Sequence, residues 1–293
     1  MTWTRLGMAF VVSVALVACE KVEQGVLQPI PPLAGLRYVN LVNDTSAVDF
    51  RIINFIGDAP SAGAASFRTG GQPFGISTNY LPPHWPVEAN RDVHIRVFMN
   101  GDAIDVVSQQ VFDTTCTFAE GVNYTFYLYG SARGAAVHAL VTTDAVPTLT
   151  ATQVAVRTVN LASTLAPTLT GTNVDVDVVA QSATSPLTGT AQFANVAYKG
   201  VSAYAAITAS ATLMAVVSAP GTRTFTTFTG NLPAGVAGTA TVNPVAGSRV
   251  GGSAISAVVV PPSVTGSTAP QTSAFLRPNI IFLIDQQPAL TAP

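Results

Sequence analysis

Arg37-Tyr-Val-Asn-Leu41 returns as Arg157-Thr-Val-Asn-Leu161, 120 positions further along a 293-residue chain. Each copy is followed by a turn and then by a Val-Asp-apolar triplet, Val48-Asp49-Phe50 in the first and Val174-Asp175-Val176 in the second. A second pair of segments keeps the order: Phe74-Gly75-Ile-Ser77-Thr-Asn-Tyr80 parallels Tyr198-Lys-Gly200-Val-Ser202-Ala-Tyr204, 124 positions on. Two matches in the same order at nearly constant offset mark an internal duplication. A unit of roughly 110–130 residues with about seven short strands has the size of an immunoglobulin-like sandwich. The expected layout is therefore two tandem immunoglobulin-like β-sandwich domains, at residues 35–148 and 149–293, with Pro147 near the junction.

Composition points the same way. Val and Thr are abundant, and their β-branched side chains suit a pleated surface. Twenty prolines and 23 glycines punctuate the chain into short runs. Strands are expected at Leu36–Val42, Val48–Phe55, Val93–Met99, Tyr124–Tyr129 and Ala135–Thr143 in the first copy. The second copy offers Thr152–Leu161, Val174–Ala180, Leu213–Ser218, Thr239–Val242, Ala254–Val260 and the very apolar Asn279–Ile284. Residues 57–73 read as loop, and Asn100-Gly101 reads as a two-residue hairpin turn between Val93–Met99 and Ala103–Val111. No helical periodicity is evident after the first nineteen residues, so the fold class is all-β.

Those first residues carry an address. Arg5 supplies one positive charge, and Leu6–Ala18 is apolar apart from Ser13. Thirteen such residues are too few to span a bilayer, which needs roughly 20, but match a signal-peptide core. Leu16-Val17-Ala18-Cys19 then reads as a lipobox, with 1–18 as lipoprotein signal peptide and Cys19 as the lipidation site. More than one acyl chain holds firmly where one alone binds marginally. Residues 19–34 form a tether, polar and then rich in proline at Pro29, Pro31 and Pro32. By resemblance to enterobacterial lipoprotein sorting, Glu20 in place of Asp at the second mature position implies the outer membrane.

Charged residues make up 10% of the chain, against about 25% in an average soluble protein. No basic cluster exists to face a run of phosphates, so nucleic acid is not an expected partner. Lipidation of Cys19 leaves Cys116 without a partner. In Phe112-Asp-Thr-Thr-Cys-Thr-Phe118, alternation sets Cys116 on one strand face with Phe112, Thr114 and Phe118, as a small core residue.

Taken together, Val48-Asp49, Phe74-Gly75, Ser77, Tyr80 and Gly121-Val-Asn-Tyr124-Thr125 resemble the bacterial domain of unknown function 4397. The second copy repeats Val174-Asp175, Gly200, Ser202 and Tyr204 but lacks a clean Gly-x-x-Tyr-Thr segment. The resemblance implies β-sandwich modules, often in tandem, on secreted or lipid-anchored proteins. It implies no reaction.

Catalytic chemistry has little to stand on. His84, His94 and His138 show no metal-ligand spacing, and Gly200-Val-Ser202-Ala-Tyr204 lacks the second glycine of a nucleophile elbow. Ser202 is expected to cap a turn and Tyr204 to pack, and no catalytic residue, metal or cofactor is assigned. Asp175 and Asp177 share a strand face, and Asp102 and Asp105 sit by the Asn100-Gly101 turn. Solvated strand carboxylates are the commoner case, and neither pair matches a calcium loop. Tyr80 and Trp85, beside the proline-rich loop Leu81–Pro86, are candidate ligand contacts. The expected role is a non-catalytic binding, adhesion or structural module on the cell envelope. Its partners would be the membrane and an envelope protein or glycan. The alternative is a carbohydrate-active or other hydrolase that gathers Asp175, Asp177 and Glu88.

Overall fold

The computed structural model describes residues 31–54, 71–75, 84–100, 109–134, 136–165, 172–224 and 228–290. The expected signal peptide at 1–18, Cys19, Tyr80, Asp102 and Asp105 lie outside these residues. From Leu33 to Pro293 the chain forms one compact unit. The described residues are all-β, with sixteen strands in four sheets and no helix.

The first half supplies β1 (Leu33–Val42), β2 (Ala47–Ile52), β3 (Gln72–Pro73), β4 (Trp85–Glu88), β5 (Asp92–Met99), β6 (Gln110–Thr117), β7 (Asn123–Ser131) and β8 (Ala136–Thr143). The second half supplies β9 (Gln153–Asn160), β10 (Val174–Ala180), β11 (Phe193–Val196), β12 (Ala205–Thr208), β13 (Leu213–Ser218), β14 (Phe228–Asn231), β15 (Ala254–Val260) and β16 (Asn279–Gln286). The sheet orders are β4-β1-β7-β8 and β3-β2-β5-β6, then β12-β9-β15-β16 and β11-β10-β13-β14. Adding eight to each strand number turns the first pair of sheets into the second. Even the one parallel pairing recurs, β1 on β7 and β9 on β15, where all the other strand pairs are antiparallel.

The duplicated motif explains why the halves fuse. Along β1, Leu36, Tyr38 and Val42 enter the core between β1's sheet and β2's sheet. The alternate residues Val39 and Leu41 point the other way, into an apolar cluster shared with Val159, Leu161, Val258 and Val260. In the second half, Val156, Val174, Val176 and Ile255 form that sandwich's own core. The β1 and β9 sheets are therefore covered on both faces. That is why both strands read as nearly unbroken apolar runs, a pattern expected of sheets with no solvent face. The motif's asparagines serve local geometry. Asn40 Nδ2 donates to Gln72 O at 3.0 Å, and Asn160 Nδ2 donates to Thr172 O at 2.7 Å and Val196 O at 3.0 Å.

Both halves also run in the same direction. Residues at the start of β1 and β9 meet at one end, around Arg37 and Arg157. Residues past their ends meet at the other, where Val264 N donates to Asn43 O at 2.8 Å and Phe275 packs edge-on against Phe74.

Several local expectations are corrected. Met99 N donates to Gln109 O, so the β5–β6 connection is longer than a two-residue turn at Asn100-Gly101, and residues 101–108 lie outside the described residues. The strand paired with β5 is Gln110–Thr117, which overlaps the expected Ala103–Val111 only at its end; residues 103–108 lie outside the described residues. Residues 57–73 end in β3, a two-residue edge strand. Leu81–Pro86 ends in β4, where Pro86 is tolerated because an edge strand has one side without ladder bonds. Thr239–Val242 forms no strand, only a turn in which Thr239 N donates to Val242 O at 2.8 Å. Asn279–Ile284 pairs with β15 and so completes the second sandwich.

Candidate functional site

Strand register carries the duplication down to single side chains. Arg37 stands opposite Thr125 on β7, and Arg157 stands opposite Ser256 on β15. Asp144 follows β8, and Asp285 lies near the end of the equivalent strand β16. His84 precedes β4 as Tyr204 precedes β12. All eight groups converge where the two sandwiches meet.

Their bonds cross between the halves. Arg37 Nη2 donates to Asp285 Oδ1 at 2.6 Å, and Arg37 Nη1 donates to Ile284 O at 2.6 Å. Arg157 Nη2 donates to Asp144 Oδ1, and Arg157 Nη1 donates to Thr143 O at 2.8 Å. Each arginine thus grips the aspartate of the other half and the carbonyl just before it. Hydroxyls of the arginine's own half complete the set. Thr125 Oγ1 donates to Asp144 Oδ2 at 2.7 Å, and Ser256 Oγ donates to Asp285 Oδ2 at 2.6 Å. Arg37 Nε and Arg157 Nε donate back to those same hydroxyls, at 3.1 and 2.7 Å.

Two further groups close the outer side. Tyr204 Oη donates to Asp285 Oδ2 at 2.9 Å, and its ring lies under the Arg157 guanidinium at 4.7 Å. His84 Nε2 shares a hydrogen bond of 2.7 Å with Asp144 Oδ2. The Arg37, Asp144 and Asp285 side chains are fully buried and Arg157 nearly so.

Burial opposes the charges of Asp144, Arg37 and Arg157, and pairing overrides it. Desolvation would raise the Asp144 carboxyl. The His84 hydrogen bond, the Arg37 and Arg157 charges and the Thr125 hydroxyl bring it down to about 2 instead. Desolvation would lower the arginines, yet Asp285 and Asp144 hold both above their ordinary range. Burial pushes the neighbouring Tyr127 phenol up to about 12. All four ions are saturated by partners within the chain, so the cluster is built to hold two sheets together rather than to receive an external charge.

Beside it opens a cleft of about 650 Å³, lined by Leu140, Thr142, Thr143, Pro147, Arg157 and Tyr204, among others. Ser202 at its rim accepts from Thr158 N at 2.9 Å and donates to Ala203 O at 2.9 Å, which ties it to β9 and not to a turn.

The other expected residues are scattered. Trp85 is 44% exposed on the edge strand β4. Asp175 and Asp177 share a face but are buried, not solvated. Asp175 accepts from Asn195 N at 2.6 Å and Gly221 N at 2.7 Å, and Asp177 pairs with Arg223 at 2.7 Å. They staple loops to β10. Glu88 pairs with Arg91 in the other sandwich, so the carboxylates proposed for hydrolysis do not converge. Among the described residues no three His, Cys, Asp or Glu side chains gather as a metal cluster would. Cys116 lies half-buried against the first core with Phe112.

The sequence marked Arg37 and Arg157 as repeated residues but not as partners. A lone arginine inside an apolar strand, paired in the same way in each copy, was the available signal. Tyr204 was matched to Tyr80, whereas strand register equates it with His84.

Residues 34–172 match the family described as Domain of unknown function (DUF4397). The match runs through β1–β8 and on past β9, so it includes Arg37, Asp144 and Arg157 and stops short of Asp285. No curated protein matches the chain.

Proposed function

With a DUF4397 domain over residues 34–172 as the premise, we propose that the chain is a lipid-anchored protein of the bacterial cell envelope whose fused sandwiches act as a non-catalytic binding, adhesion or structural module. The Leu6–Ala18 apolar run and the Leu16–Cys19 lipobox support the anchor. One observation supports the structural role above the rest: the most strongly charged buried groups, Arg37, Arg157, Asp144 and Asp285, spend their bonding capacity on one another. That arrangement fixes two modules as one rigid body, which suits a spacer or a presenting surface. Exposed Trp85 and the adjoining edge strand supply a surface that a protein or glycan partner can add to.

Cell fractionation of the wild type and of Cys19→Ala tests the anchor. The wild type is expected in the membrane fraction and the variant in the soluble exported fraction. A variant that stays with membranes overturns the lipid anchor. Crosslinking in intact envelopes tests the binding role. A captured envelope protein or glycan lost in Trp85→Ala supports it, and hydrolysis of an envelope polymer by the purified chain overturns the non-catalytic reading.

A further inference from the structure

We infer that the loop Pro233–Gly252, at the end of the second sandwich, rests on the lipid bilayer. The inference builds on the anchor at Cys19 proposed above.

Three observations carry it. The first is direction. β1 and β9 both begin at the Arg37–Arg157 end, so Leu33, where the tether joins the fold, lies at the same end as the start of β9. Gly252 N donates to Gln153 O at 2.9 Å, which fixes the loop at that end as well. From Cys19 to Leu33 the chain reaches at most roughly 50 Å even fully extended. The end carrying the loop is therefore the one that an acylated Cys19 tethers.

The second is surface chemistry. Val236, Val242 and Val245 are 50, 55 and 47% exposed, and Leu290 on the adjacent terminal segment is 74% exposed. Gln287 Oε1 accepts from Ala246 N at 3.2 Å, so terminal segment and loop lie together. Four large aliphatic side chains bared at one end are unusual, since exposed apolar groups on a soluble surface are normally scattered. Arg249 is the one charge in Leu232–Ser253, and neither Thr208–Thr212 nor Gln286–Leu290 adds another. The same end of the first sandwich carries Glu88, Arg91, Asp92 and Glu120. The second sandwich thus presents, in these segments, a single exposed charge, Arg249, whose desolvation would oppose lipid contact.

The third is order. Val236 and Val245 exchange both backbone hydrogen bonds at 2.9 Å. Gly235, at φ +74°, makes the turn into this pairing, and a Cβ there would lie 2.5 Å from Val245 O. The valines are thus presented on a hydrogen-bonded hairpin. A shallow apolar tip of this kind, with backbone groups paired, enters the headgroup boundary without leaving them unsatisfied.

The test places an environment-sensitive fluorophore on Val242→Cys, or on Val264→Cys at the opposite end, in a Cys116→Ser background of the full processed chain. Each is reconstituted with phosphatidylcholine vesicles carrying a headgroup quencher. At Val242 the expected result is a blue shift and quenching several-fold greater than at Val264. A chain that floats with vesicles yet shows equal, weak responses at both sites overturns the contact and leaves the anchor intact. A blue shift that appears without vesicles and grows with protein concentration also overturns it, assigning the loop to a second copy of the chain. Mass analysis of Cys19 reads the anchor separately. If Cys19 carries no acyl group the anchor fails, and the contact then stands or falls on whether Val242 responds to vesicles added to the free chain.

Discussion

Arg37 of the first sandwich donates to Asp285 of the second at 2.6 Å, bridging 248 positions of sequence, and the equivalent Arg157 and Asp144 form the reciprocal bond. Each half therefore carries a buried cation neutralised chiefly by the other half. A single sandwich with this sequence pattern would hold Arg37 and Asp144 at an apolar sheet face. Duplication supplies the complementary pair, because each half brings the same arginine and the same aspartate to the contact between them.

Breaking one of these pairs is expected to cost far more than an exposed ion pair does. Asp285→Leu leaves Arg37 buried beside a carbonyl and a hydroxyl, with only the longer 3.4 Å contact to Asp144, itself held by Arg157, as an anion. Loss of one partner from a buried pair typically costs about 3–5 kcal/mol. The double variant Arg37→Leu with Asp285→Leu removes both charges. It is expected to cost less than the sum of the two single changes by at least about 1 kcal/mol. Urea denaturation of the three variants measures this, and additive losses would show that the charges are not coupled.

Acid stability follows from Asp144. Its carboxyl is depressed to about 2 in the folded chain from an ordinary 3.8. A depressed acid contributes stability that is complete above its unfolded value and lost as pH falls through its folded one. The contribution is about 2 kcal/mol, present above about pH 4 and lost between about pH 4 and 2. Asp44, held down by the Ser131 hydroxyl and the amides of residues 132 and 133, and Asp113, held down by His94 and Arg96, steepen the same limb. Denaturation midpoints are expected to stay level from pH 7 to 5 and fall below pH 4. Asp144→Asn is expected to be less stable at pH 7 but to lose less on acidification. Parallel curves for the two chains would remove Asp144 from the account.

Much of the fold was legible in the chain because β-branched runs separated by turn residues have only one economical reading. Val174–Ala180, Leu213–Ser218 and Ala254–Val260 are strands at the expected bounds. Trp85–Glu88 was not legible. A four-residue edge strand containing Pro86 needs only its partner β1 to exist, and that partner lies 49 positions upstream at Leu36. The Asn100-Gly101 dipeptide misled because the β5–β6 register is set by packing of Val97, Phe112 and Cys116 against the core, which overrides local turn preference. The ionic cluster was hidden for a related reason. Asp285 directly follows the apolar run Asn279–Ile284 and carries no motif of its own, and only strand order and register show it to be the counterpart of Asp144.

The processed chain should report its own geometry by fluorescence and thiol chemistry. If the proposed leader is cleaved before Cys19, Trp3 is removed and Trp85 is the single tryptophan. At 44% exposure it is expected to emit like a hydrated indole and to be quenched by iodide. Cys116 is half-buried and burial pushes its thiol up, so native alkylation at pH 8 is expected to be slow and to accelerate in urea. With Cys19 acylated no disulfide forms, and a reductant should leave the melting temperature unchanged. A reductant-sensitive melt would show that Cys19 and Cys116 are bonded.

The last expectation concerns the boundary near Pro147. Modules joined by a linker ordinarily unfold in separate steps, but here the apolar face of Val39, Leu41, Tyr127 and Tyr129 is closed only by Val159, Leu161, Val258 and Val260. Cutting after residue 148 would bare that apolar face and remove Asp285, the nearer of Arg37's two carboxylate partners. The whole chain is therefore expected to unfold in one transition, with calorimetric and van't Hoff enthalpies in agreement. A fragment ending at residue 148 is expected to aggregate or to bind a hydrophobic dye. If instead the fragment is monomeric and melts as a cooperative unit, the contact between the sandwiches is an accessory to two independent folds.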